Sequence, residues 1–181
     1  NTTIVSGLWD INRHNRSFDH YVEAFEKFLS IDKPMYLYVP EELEDFVWQY
    51  RSEENTHVRV FSLDNVKELY SPFWDKTQEI RTSVEWVKRA GWLDDSPQYR
   101  LEYYNPIVQS KMFMLNDASI FNPFDTEYFY WLDAGITNTV PDGHLRDEPV
   151  LDSLHTFTTS EEFMFVAFPY EANNEIHGFE Y

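Results

Sequence analysis

The sequence predicts an α/β protein with a mostly parallel central sheet and helices on both faces. Three observations carry that prediction. Stretches with strand and helix patterning alternate through the first two-thirds of the chain, the order that builds a parallel sheet. Two stretches, YFYWL (128–132) and FMFVAF (163–168), are apolar throughout rather than alternating, as strands covered on both faces are. The helical stretches concentrate their apolar residues on one face.

The elements follow in order. TTIVS (2–6) reads as the first strand, interrupted by Gly7. RHNRSFDHYVEAFEKFLS (13–30) turns helical, because Tyr21, Phe25, Phe28 and Leu29 fall at i, i+4, i+7 and i+8. PMYLYVP (34–40) is a short strand bounded by prolines, and PEELEDFVWQY (40–50) a second helix. There Pro40 suits the first turn, Glu41 and Glu42 favour the positive end of the dipole, and Leu43, Phe46, Val47 and Tyr50 form the stripe. HVRVFSL (57–63) is the third strand. Helical patterning fills residues 64–89, with a break near Pro72.

A loop is expected over 90–100. YNPIVQSKMFMLNDAS (104–119) reads as a buried helix with Asn105 as its cap, Pro106 in its first position, and a stripe of Val108, Met112 and Leu115. YFYWL follows as a strand, 139–149 as loop, and 162–169 as a last apolar strand.

With 181 residues the chain is expected to form one domain over 1–181, long enough to bury a core without staples. Aromatic residues make up 18% of it, so much of that core must be packed rings. A formal charge of -18 repels phosphate backbones and anionic lipids, which argues against a nucleic-acid partner. A locally basic pocket would still accept a small anion. Without cysteine there is no disulfide, zinc–thiolate site or thiol nucleophile. No apolar run reaches membrane-spanning length and no signal-peptide pattern opens the chain, so a cytoplasmic setting is expected. The chain lacks an initiator Met and stops at Tyr181, and is expected to be a piece of a longer protein.

In open parallel sheets ligands bind beyond the carboxyl ends of the strands. Two strands deliver an acid there: SGLWDINR gives Asp10 with Arg13 nearby, and YWLDAG gives Asp133. If the strands are neighbours, the three converge. The structural alternative is that both acids only serve turns. Gly135 meets the need of a sharp turn or a close ligand approach, or is an ordinary turn glycine. Lys111 interrupts a very apolar helix; it either snorkels to the surface or holds a compact positive charge suited to a diphosphate. His14 and His20 read as solvated, and His57, His144 and His155 lack a partner pattern. His177 could join Asp133 on a divalent ion, or merely pack. Glycine-rich phosphate loop, nucleophile elbow, HExxH and dinucleotide fingerprint are all absent.

Four blocks, TTIVSGLWDINR, NPIVQSKMFML, YFYWLDAGI and FPYEANNEIHGF, in this order, resemble the HtrL/YibB family of bacterial and viral proteins, which includes WlaTC-like proteins from surface-polysaccharide loci. The likeness spans essentially the whole chain. It implies a GT-A-type nucleotide-sugar fold and glycosyl transfer from a nucleotide-diphosphate donor to a glycan or polysaccharide acceptor. In that fold an apolar strand runs into an Asp-x-Asp motif whose acids contact the donor's ribose and a divalent ion, Mn or Mg. WLDAG looks like that motif with Asp133 in the first place and Gly135 in the second.

The resemblance therefore implies Asp10, Arg13, Lys111, Asp133 and Gly135 around the donor, with Arg16 as a further cation. Asp133, from the motif, and His177, from its place after a strand, are the expected metal ligands. An inverting reaction needs a base for the acceptor, for which Asp142, Asp147, Glu148, Glu171 and Glu175 are candidates, and Glu175 is taken beside Asp133 in catalysis. The missing second acid leaves three readings open: a ligand from elsewhere, a metal-independent site, or a degenerate, non-catalytic carbohydrate- or protein-binding module. A nucleotidyltransferase would want a basic, glycine-rich opening loop, which is lacking.

Overall fold

The computed structural model describes residues 1–89, 92–146, 150–159 and 161–164. Four strands, β1 (Thr2–Gly7), β2 (Met35–Val39), β3 (Thr56–Val60) and β4 (Tyr128–Trp131), form one sheet in the order β3-β2-β1-β4. Every pairing is parallel. Val5 of β1 lies between Tyr36 on one side and Trp131 on the other. The chain thus walks outward from β1 to β3, then returns across the sheet to place β4 on the opposite flank of β1.

Helices cover both faces, and the two-residue period of the strands decides which side chain meets which layer. Ile4, Met35, Leu37 and Val39 point to α1 (Phe18–Leu29) and α2 (Glu41–Trp48), where Phe25, Phe28, Leu29, Leu43 and Val47 meet them. Val5, Tyr36 and Tyr38 point the other way, to α3 (Leu63–Tyr70) and the long α7 (Tyr104–Phe121). Between these lie the shorter α4 (Trp74–Arg81), α5 (Val84–Val87) and α6 (Pro97–Arg100); α8 (Asp142–Arg146) and α9 (Val150–Ser153) follow β4. Ser17 caps α1 through the His20 N–H, and Ser62 with Asn65 forms a reciprocal capping box on α3.

The expected helical run 64–89 is broken beside Pro72, where α3 ends. Elsewhere the structure departs from expectation. The buried stripe of α7 is Pro106, Ser110, Met114 and Ala118, not Val108, Met112 and Leu115. Val108 and Met112 are exposed. The small Ser110 and Ala118 let the helix lie close on the sheet, and Ser110 Oγ donates to the Pro106 and Tyr70 carbonyls. Apolar side chains outnumber what one helix face can hide, so the sequence pattern named the wrong face. Asn105 does not cap α7: the helix begins at Tyr104, and the Asn105 amide donates to the Gln98 carbonyl at 2.8 Å.

The stretches expected as loops at 90–100 and 139–149 hold α6 and α8. β4 is half-buried along its whole length rather than fully covered, and among the described residues it is an edge of the sheet. Residues 162–164 of the expected last strand are not strand, and the rest of that stretch lies outside the described residues. Among the described residues, no helix is long and apolar enough to cross a membrane.

Candidate functional site

The chain leaves β1 in one direction and reaches β4 from the other, so the carboxyl ends of these two neighbours form the switch point of the sheet. Diverging connections open a crevice at such a point. Here it is a cavity of about 590 Å³. Asp10, Arg13 and Arg16 line it from the β1 exit, Lys111 and Tyr104 from α7, Tyr21 from α1, and Trp131, Asp133 and Gly135 from the β4 exit.

The β1 exit is built around Gly7. A Cβ there would stand 2.5 Å from the Trp9 ring and 3.0 Å from the Tyr38 carbonyl oxygen, so only glycine fits. The ring cannot easily retreat: it is 7% exposed, and its Nε1 donates to the Phe61 carbonyl at 2.7 Å. Asp10 follows, its Oδ1 accepting the Asn12 N–H at 2.8 Å in an Asx turn that holds Asn12 at φ 57°. That turn brings Arg13 back toward the cavity. Its Nη1 donates to the Tyr21 hydroxyl, and its guanidinium lies 5.8 Å from the ring centres of both Tyr21 and Tyr104.

The β4 exit is tied to β1 by the Leu132 N–H donating to the Val5 carbonyl at 3.1 Å and by Ser6 Oγ donating to the Leu132 carbonyl at 2.6 Å. The next residue, Asp133, is fixed by two donors on one oxygen. Lys111 Nζ sits 2.6 Å from Oδ1, and the Trp131 indole N–H donates to the same atom at 2.7 Å. Lys111 also stands 5.8 Å from the centre of the Trp131 ring. It therefore does not simply snorkel away. It springs from the middle of α7 and its side chain lines the cavity.

Gly135 has φ −88°, a value open to any residue, so no turn requires glycine there. What the position lacks is room: a Cβ would lie 3.2 Å from the Tyr21 ring.

Among the described residues three cations thus face the cavity against two carboxylates, on a chain whose formal charge is -18. Such a local inversion of sign focuses anions into a crevice. Asp10, Arg13, Lys111, Asp133 and Gly135 are brought together on one cavity, with Arg16. Glu175 and His177 lie outside the described residues, as do Asp147, Glu148 and Glu171. Asp142 does not line the cavity; it pairs with Arg146 at 3.1 Å within α8.

A divalent ion at Asp133 would need further ligands from this donor set. Among the described residues no group of three or more His, Asp or Glu is placed to hold a metal. Oδ1 of Asp133 is already shared by an ammonium and an indole N–H. These residues do not fit an ion there.

Tyr21, Tyr104, Trp131, Gly7 and Trp9 escaped sequence reasoning as site residues. Tyr21 is hidden in an amphipathic stripe and Trp131 in an apolar run; the Gly7–Trp9 spacing was the available signal. A second cationic cluster shows what a closed counterpart looks like. Arg59 lies 5.0–5.9 Å from the ring centres of Tyr38, Phe61 and Tyr70 and 3.6 Å from Asp117. Burial, and then the hydrogen bond to Asp117, push the Tyr70 hydroxyl up to about 12. At the N-terminal end of β3, burial and then the Arg59 charge hold His57 below its ordinary value.

The family model described as "Bacterial protein of unknown function (HtrL_YibB)" matches residues 1–164. No curated protein and no solved structure matches the chain.

Proposed function

The chain belongs to the HtrL_YibB family, and from that premise we propose that it binds a nucleotide-diphosphate sugar and transfers the sugar to a glycan or polysaccharide acceptor. One observation carries the reading: the switch-point cavity combines two strand-end carboxylates with three cations on an otherwise strongly acidic chain. Its volume of about 590 Å³ lies in the range of small-molecule sites.

In the transfer, the bond between the anomeric carbon and the diphosphate oxygen breaks. The electron pair leaves with the nucleoside diphosphate, and the acceptor oxygen bonds to the anomeric carbon. Charge develops on the departing diphosphate, where fixed cations in a partly dry crevice act most strongly. Lys111, Arg13 and Arg16 supply that charge. Asp133 holds the Lys111 ammonium in position and offers its carboxylate to a ribose hydroxyl. The acceptor's proton goes to a carboxylate; Asp10 and Asp133 are the acids that line the cavity among the described residues. Glu175 remains a candidate base outside them. The apolar walls, Leu8, Ile107 and Ile136 among them, limit water at the reacting carbon.

Calorimetry against UDP-, GDP- and dTDP-sugars tests the reading. Saturable binding of one donor class, weakened in Asp133→Asn and Arg13→Ala, is the expected result; silence from every donor sinks it.

A second reading has its own support. Gly135 stands where the fold's second acid would be, and Asp133 is occupied by Lys111 and Trp131. A carbohydrate- or protein-binding module without catalysis would keep such a crevice. Glycan binding that survives Asp133→Asn, with no hydrolysis of any donor, would select it.

A further inference from the structure

We propose that this site holds the donor's diphosphate with side-chain cations, Lys111 foremost, and binds its nucleotide without a divalent ion. The inference rests on the nucleotide-sugar reading and deepens it.

Three independent features converge on it. First, the Lys111 ammonium lies 2.6 Å from Asp133 Oδ1 and already supplies the positive charge that a metal on that acid would bring. An ion at about 2 Å from a carboxylate oxygen would face the ammonium across a few ångströms, and the two positive charges would repel.

Second, a glycine stands where the motif has its second acid, and a Cβ at position 135 would already lie 3.2 Å from the Tyr21 ring. That ring is held in turn by the Arg13 guanidinium, which donates to its hydroxyl. Arg13 and Tyr21 thus put a cation and a ring beside position 135 in place of a second carboxylate.

Third, the cations are spread as an extended anion requires. Tyr104, Ile107, Val108 and Lys111 share one face of α7 at the i, i+3, i+4, i+7 spacing. Arg13 stacks at the Tyr104 end. Seven residues of helix set Lys111 about 10 Å further along the axis. The two charges bracket the cavity instead of meeting at one point. An ammonium has three donors, so Lys111 can keep Asp133 and still offer two to phosphate oxygens. Asp133 thereby acts as a positioning residue for the cation rather than as a metal ligand.

Calorimetry with UDP, GDP and dTDP in EDTA, in Mg and in Mn gives the decision, run on the chain as described and on Lys111→Met and Lys111→Arg. The expected result is binding of at least one nucleoside diphosphate in EDTA, changed less than about twofold by either ion. Lys111→Met should weaken it by about tenfold or more, and Lys111→Arg should restore part of the loss, because charge rather than bulk is what the site uses. A thermal melt of each variant separates lost binding from lost folding, and the EDTA comparison on the unsubstituted chain needs no variant at all.

Binding that appears only with Mg or Mn overturns this inference and leaves the proposed function standing. Binding in EDTA that is untouched by a folded Lys111→Met overturns the role of Lys111. Silence of all three nucleotides under every condition overturns both the inference and the reading beneath it.

Discussion

The exits from β1 and β4 stand side by side, each with a glycine and an aspartate, yet they are built on opposite principles. At the β1 exit, glycine is compulsory. The Trp9 ring lies where any Cβ would be, anchored by its bond to the Phe61 carbonyl, and Asp10 is consumed by the Asx turn that follows. At the β4 exit the glycine has an ordinary backbone and a close but yielding neighbour, while Asp133 is turned outward onto Lys111. One exit is a structural corner and the other a presenting arm. A glycine next to a strand-end acid therefore says little by itself; what the acid touches decides its part.

The largest effect should come from the corner. Gly7→Ala forces a contact that an anchored ring and a backbone carbonyl cannot relieve together, and should cost about 3 kcal/mol in urea unfolding. Its coupling to Trp9 sharpens the point: in a Trp9→Leu background the added cost of Gly7→Ala should fall by more than about 1 kcal/mol, as expected for residues in contact. Additive costs would show that the ring is not the obstacle.

Next in size is the cation that follows the β1 corner and faces the cavity. Arg13→Ala should weaken UDP binding by about 2 kcal/mol, roughly thirtyfold, while moving stability by less than about 1 kcal/mol. Equal losses of folding and binding would make Arg13 a second structural corner.

Gly135→Ala should be mild, within about 1 kcal/mol, because only the Tyr21 ring must shift by a few tenths of an ångström. Tyr21→Leu should remove even that. A cost rivalling that of Gly7→Ala would erase the distinction between the exits.

The smallest effect lies at the opposite end of the sheet and serves as a control. His57 binds its proton less readily folded than unfolded. Stability is then unaffected above the unfolded value of about 6.5 and declines as pH falls through it, since the unfolded chain takes up the extra proton. His57→Phe should flatten that decline and leave nucleotide affinity unchanged; a shift in affinity would mean that the sheet's two ends communicate.

Much of this architecture could be read from residue order. The strand at 2–6, the Phe25–Phe28–Leu29 stripe and the apolar run at 128–131 placed β1, α1 and β4, and a parallel sheet then put Asp10 and Asp133 on the same rim. Other features are invisible to periodicity. Ser110 looks like a surface residue but is buried, because its hydroxyl finds the Tyr70 and Pro106 carbonyls. Val108 and Met112 look like core but are exposed, because α7 turns its smaller residues to the sheet. Lys111 could be read either way until a partner 22 residues later in the chain gave its charge a direction. Contacts of this kind, and the Trp9 ring over Gly7, are decided by packing in three dimensions rather than by spacing along the chain.

The flank order β3-β2-β1-β4 also has a consequence for biosynthesis. Strand β1 leaves the ribosome ahead of both its neighbours and waits, bare along one edge, until residues 128–131 arrive to pair with residues 2–5. At about 5–20 residues per second, that is a delay of several seconds or more. Through this interval the Lys111 ammonium has no Asp133 to meet, and one wall of the cavity does not exist. Completion of this cavity is therefore a late event in the life of each nascent chain, waiting on the docking of β4.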